Sequence, residues 1–459
     1  MTQISRKRKG ERGITILLVA VAMISILAMA ALAVDVVALY VARSETQRAA
    51  DAAALAAAKM FAFSGYTSNS SIITQGQLCV SGGSGNSAAS NQAAQSAVSQ
   101  NLVSGQVASI QTITCDFSQA ENPRVTVTIQ RTGLPTFFGR IWGAGAGSVS
   151  ATASAEAFNP SGGSVNIAVG SVKPWLIPNC LDPTCSGLGE PYFFTSANGI
   201  ANSGSFIGQA WTFARQDANT GAPTPPAPNS LPTPPPPTAS MTYGWYYAID
   251  PPEANVCPST GALNCNQLFT GPPNIYYHDN IACSNTAFQY SCGQQIGPGS
   301  PGGPQPVVFD GRPAGFLTNR TQAGVACMIH STSGTADLGN GQDVIATGTP
   351  VVITGGTNSP NASLNGVVNI SRSDSVVTVP VYAGGDPCPS NNSVSTCSAI
   401  VIGFLQIAVQ GVVTVPIGGG LSRADIQAVI TNAAGCNPAN NGPAVAGGAL
   451  SPLPVRLIR

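Results

Sequence analysis

Hydrophobic and polar positions are spread very unevenly along this chain. Residues 14–34 are 21 consecutive positions without a charge, and eleven of them are Ile, Leu or Val. Coiled as a helix rising about 1.5 Å per residue, such a run covers the roughly 30 Å hydrocarbon core of a bilayer. At about −0.3 to −0.6 kcal/mol per aliphatic side chain near the middle, insertion is favoured by several kcal/mol. The apolar character continues through Val36, Val37, Leu39, Tyr40 and Val41, then Arg43, Glu45, Gln47, Arg48 and Asp51 interrupt it. Glu45 and Arg48, and Arg48 and Asp51, are three apart and can meet on a helix surface. Eight of the ten residues 49–58 are alanine, the best helix former. Gly65 is the first strong breaker. The pattern predicts one helix over 14–61, roughly 70 Å long, with about half of it beyond the bilayer.

After this helix the period changes. Residues 62–105 are rich in Ser, Gly, Asn, Gln and Ala, with a short helix expected over 92–102. Alternation and β-branched residues predict strands over 107–115, 124–132 and 148–157. A long helix followed by a small antiparallel sheet is pilin-like by analogy. Residues 221–240 hold a dense proline run, expected as an extended spacer and a soft domain boundary. Beyond residue 304 strands are expected over 306–309, 343–347, 350–354, 375–382, 399–409 and 411–415, in a β-sandwich or mixed β-rich domain. The stretches 376–382 and 400–409 read as a hairpin whose excursion a Cys388 to Cys397 disulfide clamps.

Charge orients the chain. Arg6, Lys7, Arg8, Lys9 and Arg12 precede the apolar run, so this flank is expected in the cytoplasm and everything after Asp35 on the far side. No basic stripe exists elsewhere, which argues against nucleic-acid binding. With 51 Gly, 36 Pro and 8% charged residues, the remainder reads as exported, turn-rich β-structure. All 12 cysteines lie beyond the apolar run, and none has CxxC spacing. Disulfides in an oxidising compartment are expected rather than a zinc or thioredoxin-type site. Local loops suggest Cys180 with Cys185, Cys257 with Cys265, Cys283 with Cys292, and Cys388 with Cys397. Two processing alternatives stay open. Ala28-Met29-Ala30 and Ala31-Leu32-Ala33 resemble signal-peptidase sites, although the apolar run exceeds a typical leader core. Prepilin-type cleavage after Gly10 or Gly13 would leave Thr15 or Leu18 where an acid is usual.

The segment 13–58 resembles the TadG-like N-terminal segment of Flp (tight-adherence) pilus-assembly proteins. It carries Ala33-Val34-Asp35, then Tyr40, Arg43, Gln47, and the alanine block with Asp51. A weaker similarity runs to residue 157. The resemblance implies a single-pass inner-membrane protein of pilus biogenesis that pairs with other pilus-assembly or pilin-like membrane proteins. Asp35, Tyr40, Arg43, Gln47 and Asp51 are then the family-motif and helix-packing residues. Some longer relatives carry a von Willebrand factor A domain with an Asp-x-Ser-x-Ser metal loop. Ser371-Arg372-Ser373-Asp374-Ser375 has the wrong order for one.

Catalytic signatures are sparse. Gly297 to Gly302 matches GxGxxG, but its prolines remove backbone donors, so it is read as a loop. His278 adjoins Asp279, without a GxSxG elbow, and His330 follows Cys327 by three, without a second ligand pair. Trp175, Trp211 and Trp245, if exposed, could stack on sugars, which keeps an exported enzyme or carbohydrate-binding module as the alternative. The expectation is an α+β, non-catalytic protein without metal or cofactor. It divides into a cytoplasmic tail (1–13), a transmembrane and projecting helix (14–61), and a small α+β region (62–157). An irregular region ending in the proline-rich linker (158–240) and a β-rich disulfide-bonded domain (241–459) follow.

Overall fold

The computed structural model describes residues 11–83, 85–136, 138–143, 145–159, 166–179, 193–194, 206–216, 242–254, 256–257, 276–298, 307–312, 314–332, 339, 341–384, 387–388, 396–418, 420–436, 444–445 and 453–458. Helix α1, Glu11–Phe63, is 53 residues long, about 80 Å at 1.5 Å per residue. After it come α2 (Gln75–Leu78), α3 (Ala89–Gln100), β1 (Ser109–Asp116), β2 (Arg124–Leu134) and β3 (Gly147–Ala157). Next are β4 (Asn166–Gly170), β5 (Trp175–Pro178), β6 (Ala210–Gln216), β7 (Thr242–Asp250), α4 (Tyr277–Ala282), β8 (Gln289–Ser291), β9 (Gln295–Ile296) and β10 (Val308–Phe309). The chain continues through α5 (Ala314–Met328), β11 (Val344–Ala346), β12 (Val352–Thr354), β13 (Val376–Tyr382), β14 (Ala399–Gly418) and β15 (Leu421–Gly435). It ends with β16 (Ala444–Val445) and β17 (Val455–Ile458). The α+β class read from the sequence, a long apolar helix followed by disulfide-bonded, mostly β structure, is the class observed.

Two layers enclose the outer half of α1. On one side lies an antiparallel sheet in the order β1-β2-β3-β17. Its inward positions alternate as the strand period requires: Val125, Val127 and Ile129 on β2, and Ala151, Ala153, Ala155 and Ala157 on β3 are buried. Helix α3 also packs on α1, burying Ala89, Ala93, Ala94 and Val98. Ala49, Ala50, Ala53, Ala54, Ala57 and Ala58 of α1 are almost wholly inaccessible. A helix buried nearly all round must be small on every face, and the alanine block supplies this.

The second unit is a mixed β-rich domain closed into a barrel, the sandwich being the alternative that is not observed. The order β7-β5-β13-β14-β15-β6 closes because β6 also pairs with β7. That closing pair is parallel, with Trp211 opposite Thr242 and Gln216 opposite Tyr247. A parallel pair requires a long crossover. The connection is 217–241, which contains the proline run and lies outside the described residues. Closure removes sheet edges that a sandwich would leave open. The interior is filled by Trp175, Trp211, Phe213, Val379, Leu405 and Ile426, among others. The tryptophans proposed as sugar platforms are therefore core residues: Trp175 and Trp211 are 1% exposed and Trp245 is 8% exposed.

Disulfide pairing follows tertiary neighbours rather than sequence neighbours. Cys257 bonds Cys283, not Cys265, because the bridge between Val256 and Ser284 sets the two cysteines side by side. Cys292 bonds Cys436, 144 residues away, rather than Cys283. Gly293 and Cys436 each donate a backbone hydrogen bond to adjacent β14 residues, Val401 and Ile402, so both cysteines meet at one end of that strand. Cys79 bonds Cys115, and Cys388 bonds Cys397 across the β13–β14 excursion. Cys180, Cys185 and Cys265 lie outside the described residues.

Polar joints fasten the fold at two places, one between the units and one within the first sheet. Asn432 of β15, fully buried, donates to the Ala62 carbonyl in the last turn of α1 and to Thr67 Oγ1 at 3.0 Å, and Ser68 donates to its Oδ1. Asn159 donates to the Thr67 and Ala433 carbonyls at 3.1 and 3.2 Å. At the other joint, β17 returns to β3 and sets Arg456 Nε 2.7 Å from Glu156 Oε1, while Arg124 Nε is 3.1 Å from Oε2. Burial pushes the Glu156 pKa up, but the Arg456 and Asn122 hydrogen bonds and both guanidinium charges outweigh it and hold it below the usual carboxylate value.

Two predictions follow from these joints. Asn432→Ala strands the Ala62 carbonyl and lowers unfolding stability by about 1–3 kcal/mol, measured by denaturant titration of detergent-solubilised protein. For Glu156 the folded pKa is depressed, so its contribution is present above the unfolded pKa and lost as pH falls through the folded one. Glu156→Gln should cost about 1–3 kcal/mol at pH 7, and the gap to the native chain should shrink when Tm is followed down through the carboxylate range.

Candidate functional site

The two halves of α1 have opposite surroundings. No residue in its most apolar 18-residue window, of mean hydropathy 2.8, is buried in the protein. Ile16 is 71% exposed, Ile24 67% and Leu27 65%. From Ala42 onward the same helix becomes the centre of a core. The boundary between these regimes is where the sequence placed its motif.

Asp35, the first charged residue after the apolar run, is buried at 6% exposure. Its Oδ2 accepts from the Gly139 N–H at 2.6 Å and the Phe138 N–H at 3.1 Å, and its Oδ1 accepts from Phe138 at 3.3 Å. These donors open the short 3₁₀ turn Gly139–Trp142, whose own Phe138 side chain makes no cap. A carboxylate on α1 thus caps a turn from the loop between β2 and β3, as favoured for an anion facing free N–H groups. Leu39 follows on the same side, close enough to Gly147 that a side chain there would lie 2.8 Å from its Cδ2. Nearly two turns further, Glu45 Oε2 accepts from the Ser104 N–H at 2.7 Å. Gln47 donates to Asp51 Oδ1 at 2.8 Å and to the Thr152 carbonyl of β3 at 3.4 Å.

The motif residues therefore separate into two groups. Asp35 is buried against the loop, whereas Gln47, itself exposed, only reaches the Thr152 carbonyl at the edge of the sheet, with half-buried Asp51 beside it. Tyr40, 75% exposed, and Arg43 face outward. Sequence reasoning missed the residues that receive Asp35, Phe138 and Gly139, because backbone donors leave no trace in residue type. The nearest signal is the glycine-bearing loop itself, whose sole charge is Arg140.

The other candidates fall into ordinary structural roles. His278 Nδ1 is 2.9 Å from Asp279 Oδ1, both buried on α4. His330 Nε2 is 2.8 Å from Asp374 Oδ2, and this bond together with the His330 charge lowers the Asp374 pKa against burial. Cys327 is disulfide-bonded, which removes the Cys–His metal spacing. Asp250 and Asp310 share Arg312, at 2.6 and 3.5 Å. Burial pushes Asp250 up to about 6, with Arg312 opposing and Asp310 adding to the rise. Among the described residues no cluster of His, Cys, Asp or Glu is placed to hold a metal ion. Three clefts, beside α3, beside the exposed part of α1, and between α1 and α3, are lined without carboxylate, histidine or cysteine.

Compared with known families, residues 13–60 match the Flp pilus-assembly TadE/G-like family. The matched segment is nearly the whole of α1 and includes Asp35, Tyr40, Arg43, Gln47 and Asp51. Neither a curated protein nor a solved structure matches the chain.

Replacing Asp35 with Ala removes the acceptor for two amides. Exchange at the Phe138 and Gly139 N–H groups should quicken about 30-fold, equivalent to about 2 kcal/mol for bonds to a charged acceptor. Hydrogen exchange with mass spectrometry reads this, and exchange in the barrel strand β14 should stay as it was.

Proposed function

We propose that this protein is a membrane-anchored, non-catalytic component of Flp-type pilus biogenesis. The N-terminal tail faces the cytoplasm, and the α+β unit and barrel stand on the outer side of the inner membrane. One observation carries the reading: a single helix matching the pilus-assembly family is bare over a bilayer's length and becomes the centre of the folded part immediately afterwards. An anchor joined by a flexible linker lets its cargo wander. An anchor continuous with the core fixes the height and direction of the cargo relative to the membrane.

Such a device suits an assembly protein that must present a surface to membrane-embedded partners. The exposed side chains of Tyr40 and Arg43 sit where α1 leaves the apolar span, on the flank not covered by the loop or sheet. In this reading they meet a neighbouring helix of another pilus-assembly or pilin-like protein. Small residues within the span, including the exposed Ala22 and Ala33, let such a helix approach closely. The buried tryptophans withdraw the aromatic platform from the alternative of a carbohydrate-binding module.

Fractionation followed by N-terminal sequencing of the mature chain tests the anchor. The expected product sediments with the inner membrane and begins before residue 14; a product starting at Ala31 or Val34 refutes the uncleaved anchor. In a strain lacking the gene, pilus number and surface adhesion should fall and be restored by the full chain. A version led out by a cleavable signal peptide in place of residues 1–34 should not restore them.

A further inference from the structure

The loop between β2 and β3 does not stop at the membrane edge. Phe138, 39% exposed, lines a cleft of about 440 Å³ together with Ile24, Leu27, Ala31 and Val34 of α1. All four helix residues belong to the uncharged run and precede Asp35. Asp35 holds the backbone of Phe138 and Gly139 directly, so the height of this loop along α1 is set by hydrogen bonds rather than by chance contact. If the bare part of α1 is in lipid, the side chain of Phe138 is beside it at the same level.

We propose that this loop is a second membrane contact, a lipid-immersed wedge that enters the outer leaflet alongside the transmembrane helix. The inference rests on the anchored reading above and adds a site to it. Four features fit a lipid environment. Between residues 134 and 147 the only charge is Arg140, which is exposed and long enough to keep its guanidinium among phosphates while its stem lies in the apolar layer. The rest of this stretch is uncharged and includes three aromatic residues, Phe137, Phe138 and Trp142, a residue type enriched at membrane–water interfaces. Three of the loop's backbone donors have internal partners that spare them exposure to lipid: Phe138 and Gly139 bond Asp35, and the Gly143 N–H bonds the Arg140 carbonyl at 3.1 Å. Finally, the buried Asp35 carboxylate receives those donors, so a charge at the rim of the hydrocarbon is not left bare. A helix crossing alone is free to swivel about its axis. A wedge fixed to one face of that helix turns with it, adds a second immersed point that resists tilting of the folded unit, and occupies the flank on which it lies.

The test uses the full chain reconstituted in vesicles of phosphatidylethanolamine and phosphatidylglycerol. The photoreactive analogue p-benzoylphenylalanine replaces Leu27, Phe138 or Val344 in separate preparations. Val344, on β11, is 64% exposed and far from the span in sequence. After irradiation, mass spectrometry of the peptides reads acyl-chain adducts. Adducts at positions 27 and 138 and none at 344 are expected. An adduct at 27 with none at 138 overturns the wedge while leaving the anchor intact. Absence at both 27 and 138 overturns the anchored reading itself. A cross-link from 138 to a second copy of the chain, in place of lipid, also refutes the wedge. Amide exchange at Gly139, unchanged from the native chain, confirms that the analogue at 138 leaves the loop in position.

Discussion

Close approach between α1 and the surfaces around it is the contact on which the rest of the molecule depends. Alanine stands on both sides of the interface with β3: 49–58 on the helix, and Ala151, Ala153, Ala155 and Ala157 on the strand. Each pair contributes little apolar area. What alanine supplies is proximity, since a short side chain lets two backbones come together and lets α3 cover the opposite flank. A larger side chain anywhere in this layer would force the sheet or α3 outward, and overpacking of that kind typically costs about 1–3 kcal/mol.

From this layer, order is passed along in two directions. Toward the membrane, Asp35 and Glu45 bind backbone amides of the domain, so the folded unit grips the helix down to the edge of its apolar run. Away from the membrane, Asn432 and Asn159 join the last turn of α1 to β15 of the barrel. The terminal strand β17 closes on β3 after the chain has passed through the whole barrel. A rod, a small sheet and a barrel are thereby coupled through buried polar groups whose partners are all supplied by another element. Such joints specify geometry, because a shift leaves a buried donor or acceptor unsatisfied.

Legibility in the sequence varied with how local the determining physics was. The Val-rich and Ile-rich stretch 375–382 forms β13, and the strands expected over 399–409 and 411–415 run on as one strand, β14, with only a register shift between Val409 and Gly411. Helix α5 was not foreseen: Gly315, Gly324, Thr318, Thr321 and Val325 give it weak intrinsic propensity. Its Gly324 instead permits contact with α4, where an added side chain would lie 2.8 Å from Ile281 Cβ. Strand β15 was missed because Ala, Asp, Asn and Gly are poor strand residues. Its stability comes from pairing with β14 on one side and β6 on the other. Disulfide partners followed the same rule, since sequence proximity suggested Cys283 with Cys292 while strand ends brought Cys292 to Cys436.

The sequence by itself determined the apolar span, the helix that continues it, the alternating strands of the first sheet and the α+β class. Each rests on a periodicity or a composition carried within a few tens of neighbouring residues. Only the tertiary structure decided that Asp35 caps a distant turn, that the barrel closes across the proline-rich crossover, and that the tryptophans are interior. These outcomes turn on backbone groups and on pairings between remote strands, and neither is written in residue type.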